Sequence, residues 1–434
     1  MTTRIRDPIH GSIRLNEAER AILDSPHLQR LRNVRQLGFT DLAFPGATHS
    51  RHAHVVGACH VAGLALDEIL ERLSGFSDGD RRRLRAAGRV ALLLHDIGHG
   101  PFSHTSEKLM PQRSALDLPA WLGEHPPERR ASHEDYGLKM VLDSDLTDLL
   151  RKHYGPLDLP PEALAFLLSG KQGPGGPWFR VGGLDCGPLL RQLVSSDLDG
   201  DRMDYLLRDS FYTGVSHGQY DLEWLVEQLR ACVRERRLEL ALRHRGLFTF
   251  EDYLLSRYHM FLSIYLHHTP VCFDYMLEQL VAARPGLLDL PSSIPEYLRW
   301  DDVTLLAALR DVDDDWAQRI TWRRPFKLLL ESAPYSEDER IDAARDRLSA
   351  AGIPHACTTS RGVIARPRVA GASQIWVLGP EPGRHRPLAE VTPLLSRYEG
   401  PVTIRRVHVE PERLDDAREL ISAPADEPPA PRRS

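Results

Sequence analysis

The run LLLHDIGHGPFSH, residues 92–104, constrains this chain more than any other stretch. Its leucines, preceded by Leu84, Ala87, Val90 and Ala91 at helical spacing, predict a buried helix. Gly98, Gly100 and Pro101 end that helix almost at once. His95 and Asp96 are therefore expected in a last helical turn, where unpaired carbonyls carry partial negative charge and favour a cation. Successive helical residues point about 100° apart, and a cation in the notch between them is one arrangement that uses both side chains.

Two ligands do not make a site. The segment SRHAHVVG opens a second apolar-striped helix, expected over 52–73, and offers His54. The acidic segment SSDLDGDRMDYLLRD places Asp197, Asp201 and Tyr205 at i, i+4, i+8 and offers Asp201. His54, His95, Asp96 and Asp201 combine neutral nitrogens with anionic oxygens, a set that suits Mn, Fe, Co, Ni or Zn better than Ca. Such an ion lowers the pKa of bound water and supplies hydroxide near neutral pH. Helix capping and buried hydrogen bonding are the competing account of these side chains. A lone His-Asp pair would not decide between them. R-x-x-H upstream, HDIGHGPFSH, and D-x-D-R-M-D-Y downstream together favour the metal.

The rest of the chain sets the frame. Its 434 residues suggest two or three domains, and 42% hydrophobic residues suffice for a sizeable core. A net charge of -6 argues against nucleic-acid binding by bulk charge. Cys59, Cys186, Cys232, Cys272 and Cys357 are scattered and odd in number, which fits a reducing compartment. The N-terminus has no apolar leader and no stretch reaches the roughly 18 apolar residues of a membrane span, so a cytoplasmic protein is expected.

Helical periods dominate from Leu28 to Tyr275, with helices expected over 133–150, 189–209, 221–230 and 250–280. The Gly- and Pro-rich stretch 169–188 reads as a flexible surface loop. From Arg319 onward RITWRRPFKLLL, ACTTSRGVIAR, QIWVLG and PVTIRRVHV read as strands, alternating with helices over 339–352, 388–400 and 411–421. The expected architecture is mostly α. A helical core spans 1–290, a small α+β region follows over 291–421, and 422–434 is a disordered tail.

In order along the chain stand DPIHGSIRLNEAERAILDSPHLQRLRNVRQLG, FPGATHSRHAHVVG, HDIGHGPFSH, SHEDYG and DGDRMDYLLRD. With these the chain resembles the HD-domain deoxynucleoside triphosphate triphosphohydrolases, in the bacterial, HD-only form rather than the SAM-and-HD-domain form. The resemblance is strong from Asp7 to Tyr275 and loose beyond. It implies a metal at His54, His95, Asp96 and Asp201, and histidines acting near the scissile phosphate at His99, His104 and His133. Arg51, Arg202 and Arg257 match phosphate contacts. Gln36, Asp209 and Tyr265 match the deoxyribose pocket, with Leu37 beside the base and Tyr205 among the substrate contacts. Magnesium is expected with the triphosphate, and a homo-oligomer as the assembly. Asp24, Gln29 and Arg32 match positions where a guanine nucleotide binds between subunits, although an exposed polar helix face explains them equally.

The chain departs from the pattern at Arg202, where a lysine is common, and at Phe261, where relatives can carry a polar residue. Two other readings stay open. One is a different HD-type nucleotide phosphohydrolase or phosphodiesterase. The other is a nucleotide sensor or single-strand binder using the basic clusters at 81–83 and 234–238.

Overall fold

The N-terminus opens with an antiparallel hairpin, β1 (Thr3–Asp7) and β2 (Gly11–Leu15), which turns Ile13 and Leu15 into the core. This computed structural model describes residues 2–336, 338–363, 374–379, 385–398 and 400–423. The core is built on α1 (Arg51–Leu70) and α2 (Asp78–Leu94), packed along each other through buried Val55, Ala58, Ala62, Val90 and Ala91. A Ser77–Asp80 capping box starts α2. Among the described residues α1 alone is long and apolar enough to cross a membrane, and 72% of that window is buried inside the protein.

Several expected helices are broken, each by a local capping contact. The one over 133–150 divides into α3 (His133–Leu142) and Asp145–Tyr154, because Ser144 and Thr147 form a capping box between them. The one over 189–209 divides into α4 (Gly187–Val194) and α5 (Gly200–Thr213). Asp199 caps α5 by accepting from Arg202 N and Ser196 N, which leaves Asp197 in the turn before the helix and off the face of Asp201 and Tyr205. Residues 221–230 are helical only over Leu222–Glu227. The chain then forms a hairpin, β3 (Leu229–Arg234) and β4 (Arg237–Arg243), turning at Glu235 and Arg236 with φ of 47° and 62°. Sequence reading saw only the basic cluster there. Over 250–280 the single expected helix becomes α6 (Leu247–Met260), a π turn at Phe261–Tyr265, and α7 (His268–Ala283) capped by His267.

The C-terminal region carries β5 (Lys327–Glu331), α8 (Glu339–Ala350), β6 (His355–Val363), β7 (Trp376–Leu378), β8 (Pro401–Val409) and α9 (Leu414–Ser422). β5, β8 and β6 form an antiparallel sheet in that order, and α8 and α9 cover it through Ile341, Leu348, Val407 and Ala417. Of RITWRRPFKLLL only β5 is a strand. Its start belongs to the helix Asp315–Thr321, which Asp314 caps and which buries Ala317 and Ile320. The helix expected over 388–400 is interrupted at Thr392–Pro393, since proline removes a backbone donor.

The stretch 169–188 is not a free loop. Trp178 and Phe179 are buried, Arg180–Val181 pairs with Leu184–Asp185, and that pair joins β4 at Arg237, while β7 runs parallel to β4 farther along, at 241–243. The end of the strand expected through Arg366, and all of the tail beyond Ala423, lie outside the described residues. The fold is mostly α with a small α+β C-terminal region.

Candidate active site

α2 stops at Leu94 with His95 as its cap residue, and the following loop is held from several sides. Buried Arg30 donates to the carbonyls of Ile97 at 2.9 Å and His99 at 2.6 Å, while the Tyr297 hydroxyl donates to Gly98 at 2.7 Å. Asp302 accepts from Phe102 N at 2.7 Å, which fixes Phe102 in its left-handed conformation at φ 53°. Burial is the first reason the Asp302 carboxyl is raised to about 6, against the two backbone N–H groups it accepts. Gly98 lies so close to α3 that a Cβ there would overlap the carbonyl of His133. That approach brings His133 over His99, rings stacked with centroids 3.7 Å apart.

The quartet expected from sequence converges. His54 Nε2 lies 3.0 Å from Asp201 Oδ1, 3.3 Å from His95 Nε2 and 3.8 Å from Asp96 Oδ2. His95 Nε2 lies 3.4 Å from Asp96 Oδ1 and from Asp201 Oδ1. Ligand atoms sharing an ion at bonds of about 2.1 Å stand about 3 Å apart. The outer nitrogens fix the tautomers: His54 Nδ1 donates to Asp204 and His95 Nδ1 to the Leu92 carbonyl, both at 2.8 Å, so both Nε2 lone pairs face inward.

The charges fit a cation as well. Burial opposes a charged imidazole at His54, but Asp201 and Asp204 outweigh it and raise its pKa to about 10. Burial likewise opposes the Asp96 carboxylate, and Arg51, bonded to its Oδ2, holds it well below the usual range. His54, His95 and Asp96 fit a metal ion by donor type, spacing and tautomer, with Asp201 beside them.

Beside the quartet is a second group. Glu107 Oε1 accepts from His133 Nδ1 at 2.5 Å and from the exposed His104 Nδ1 at 3.2 Å. Burial, then Arg51 and His133, keep His99 neutral. His99, His104, Glu107 and His133 have the residue types of a metal site. However, the rings of His99 and His133 are within 12° of parallel, which puts their in-plane lone pairs on separate planes, and one ion cannot meet both. The arrangement serves proton handling better. Sequence reading named the histidines and missed Glu107, whose signal is its i+3 spacing from His104.

A cavity of about 930 Å³ opens over both groups. Every substrate residue named from sequence lines it except Arg257. Tyr265 donates from its hydroxyl to Asp209 Oδ2 at 2.8 Å, and Asp209 Oδ1 is 2.8 Å from His49 Nε2. Gln36 is buried in the wall, and its amide oxygen has no partner among the described residues. The named arginines are already engaged: Arg51 with Asp96, Arg202 with Asp199, and Arg257 with Asp197 at 3.4 Å and the Val363 carbonyl at 3.2 Å. The π turn gives Arg257, Phe261 and Tyr265 a different phase from the expected straight helical face, because Leu266 N bonds Phe261 O, five residues back. Asp24, Gln29 and Arg32 lie away from the cavity, where Arg32 Nε donates to Gln29 Oε1 at 2.8 Å. Asp204 and His10, 2.6 Å apart and buried behind His54, were also missed.

The chain is similar to several known proteins. Residues 220–351 match the family described as HD associated region. The chain is 29% identical over 326 residues to the uncharacterized protein MJ1154 of Methanocaldococcus jannaschii, covering 75% of this chain and 59% of that one. It is 28% identical over 363 residues to human deoxynucleoside triphosphate triphosphohydrolase SAMHD1, covering 76% of this chain and 55% of that protein. The chain thus spans less than two thirds of these relatives' length. A crystal structure of a hypothetical protein from Aquifex aeolicus superposes with a TM-score of 0.74 at 27% identity, covering 97% of this chain and all of that one.

Proposed function

We propose, for a chain that belongs to the HD-domain dNTPase-like family, that it hydrolyses deoxynucleoside triphosphates to deoxynucleoside and inorganic triphosphate. One juxtaposition supports this reading above all. His95, Asp96 and Asp201 line the same cavity as Gln36, Asp209 and Tyr265, with His54 Nε2 3.0 Å from Asp201 Oδ1.

In the reaction, water adds to the α-phosphorus, the bond to the 5′ oxygen breaks, and that oxygen takes up a proton. A divalent ion held by His54, His95, Asp96 and Asp201 would supply a more acidic water and a counter-charge for a phosphate oxygen. Arg51 keeps Asp96 ionised and so holds it ready as a ligand. Glu107 holds the Nδ1–H of His133 and of His104, leaving each Nε2 to carry a proton towards the departing oxygen. Gln36 offers its unpaired amide oxygen to the nucleoside. In this reading the ring of Tyr265, pinned by Asp209, excludes a 2′-hydroxyl.

Phosphorus NMR of the metal-loaded protein with each deoxynucleotide tests this. Tripolyphosphate should be the first new species. Early orthophosphate or pyrophosphate, with a nucleotide remaining, would instead identify another HD-type phosphohydrolase.

A further inference from the structure

The cations that the family resemblance assigns to phosphate are neutralised inside the protein, whereas a triphosphate brings about four negative charges. Arg51, Arg202 and Arg257 are paired with Asp96, Asp199 and Asp197, and Arg257 does not line the cavity. Arg361 is different. It lines the cavity, is exposed, and has no acidic partner among the described residues. It also lies beyond the 220–351 family match, on β6 of the C-terminal sheet.

The backbone that carries Arg361 is fixed on three sides. Thr403 of β8 pairs with it across the sheet. Gly362 presses against the π turn so closely that a Cβ there would stand 2.8 Å from two ring carbons of Phe261. Arg257 Nη2 donates to the carbonyl of Val363 at 3.2 Å, tying the strand end to α6. An exposed guanidinium with no acidic partner among the described residues, on a strand end held by these contacts and lining the cavity, is suited to an anion arriving from solvent.

We propose that Arg361 receives the outer phosphates of the substrate, so that the C-terminal sheet supplies part of the polyphosphate subsite. This rests on the triphosphate reading given above. Planar, two-pronged contact with phosphate oxygens gives arginine an advantage over lysine at such a position.

The test uses the full-length, metal-loaded protein with inorganic tripolyphosphate as the probe, by calorimetry, alongside deoxynucleotide turnover. Arg361→Gln should weaken tripolyphosphate binding about tenfold or more and raise KM far more than it lowers kcat, with an unchanged melting temperature. Arg361→Lys should recover only part of the loss, and it carries the test if the glutamine variant folds poorly. Lys171→Gln removes the same charge from another cavity-lining cation with no acidic partner among the described residues. Equal losses at 171 and 361 would reduce the effect to general potential and overturn the proposal, as would unchanged tripolyphosphate binding in Arg361→Gln. If tripolyphosphate binds through Arg361 but no deoxynucleotide is cleaved, the subsite stands and the triphosphohydrolase reading falls. If deoxynucleotides are cleaved to tripolyphosphate equally well without Arg361, the subsite falls and that reading stands.

Discussion

Asp204 Oδ2 lies 2.8 Å from His54 Nδ1, at the opposite end of the ring from Asp201, with Arg208 bonded to both carboxylate oxygens of Asp204. His54 is thus held by one buried anion while it faces another. Asp204→Asn keeps the shape and removes the charge that makes His54 a strong donor. Metal affinity should fall about 10- to 100-fold, measured by competition with a calibrated chelator. Unchanged affinity would assign Asp204 to packing alone.

Asp96→Ala deletes a ligand and leaves Arg51 without its partner. Metal content by elemental analysis and turnover should fall together. Near wild-type stoichiometry in folded protein would remove Asp96 from the metal site.

Gly98→Ala puts a methyl group into the carbonyl of His133. Overpacking of this kind costs about 1–3 kcal/mol, read by urea unfolding. Turnover should drop further than stability does, because the displaced helix carries His133. A variant with normal turnover would separate the His99–His133 stack from the chemistry.

Tyr265→Ala should raise ribonucleotide hydrolysis relative to deoxynucleotide hydrolysis, by up to about a hundredfold if the ring excludes the 2′-hydroxyl. The ratio of dGTP to GTP turnover decides. An unaltered ratio leaves Gln36 and Asp209 as the next discriminators.

Burial holds two histidines neutral far from the cavity: His27 is lowered to about 4 and His408 to about 3. The unfolded chain takes up these protons first, near pH 6.5, so their contribution is fully present above pH 6.5 and is lost as pH falls towards 4 and then 3. His27 should account for up to about 3 kcal/mol of this. The unfolding free energy of wild type should fall relative to that of His27→Leu as pH drops from 6.5 towards 4, and parallel profiles would contradict the assignment.

How much of this was visible in the sequence depends on how far apart the cooperating residues lie. The quartet was legible because each ligand sits in a local pattern, His95–Asp96 at a glycine-ended helix and His54 at the start of an apolar-striped one. Glu107 was within reach of the same reasoning. Asp204 and His10 were not, since 194 residues separate them and only the packed hairpin brings them together. Arg361 depends on a sheet docking against a π turn, which no periodicity announces. The broken helices have a simpler cause. Hydrophobic spacing continues across 143–144 and 195–199, while Ser144 and Asp199 satisfy backbone N–H groups and restart the chain.

The π turn at Phe261–Tyr265 amounts to one inserted residue at the end of α6, before His267 starts α7. Removing one residue before Tyr265 would restore an α turn at the end of α6, rotating Tyr265 by about 100° and moving it by about 1.5 Å along the axis. Tyr265 would then leave Asp209, and the wall against Gly362 would shift with it. A one-residue gap between 261 and 265 in an alignment of relatives would therefore mark a change in the shape of the sugar pocket, where the same gap in a surface loop would mean little. Chain length at this turn is as informative about substrate as any side chain in the cavity.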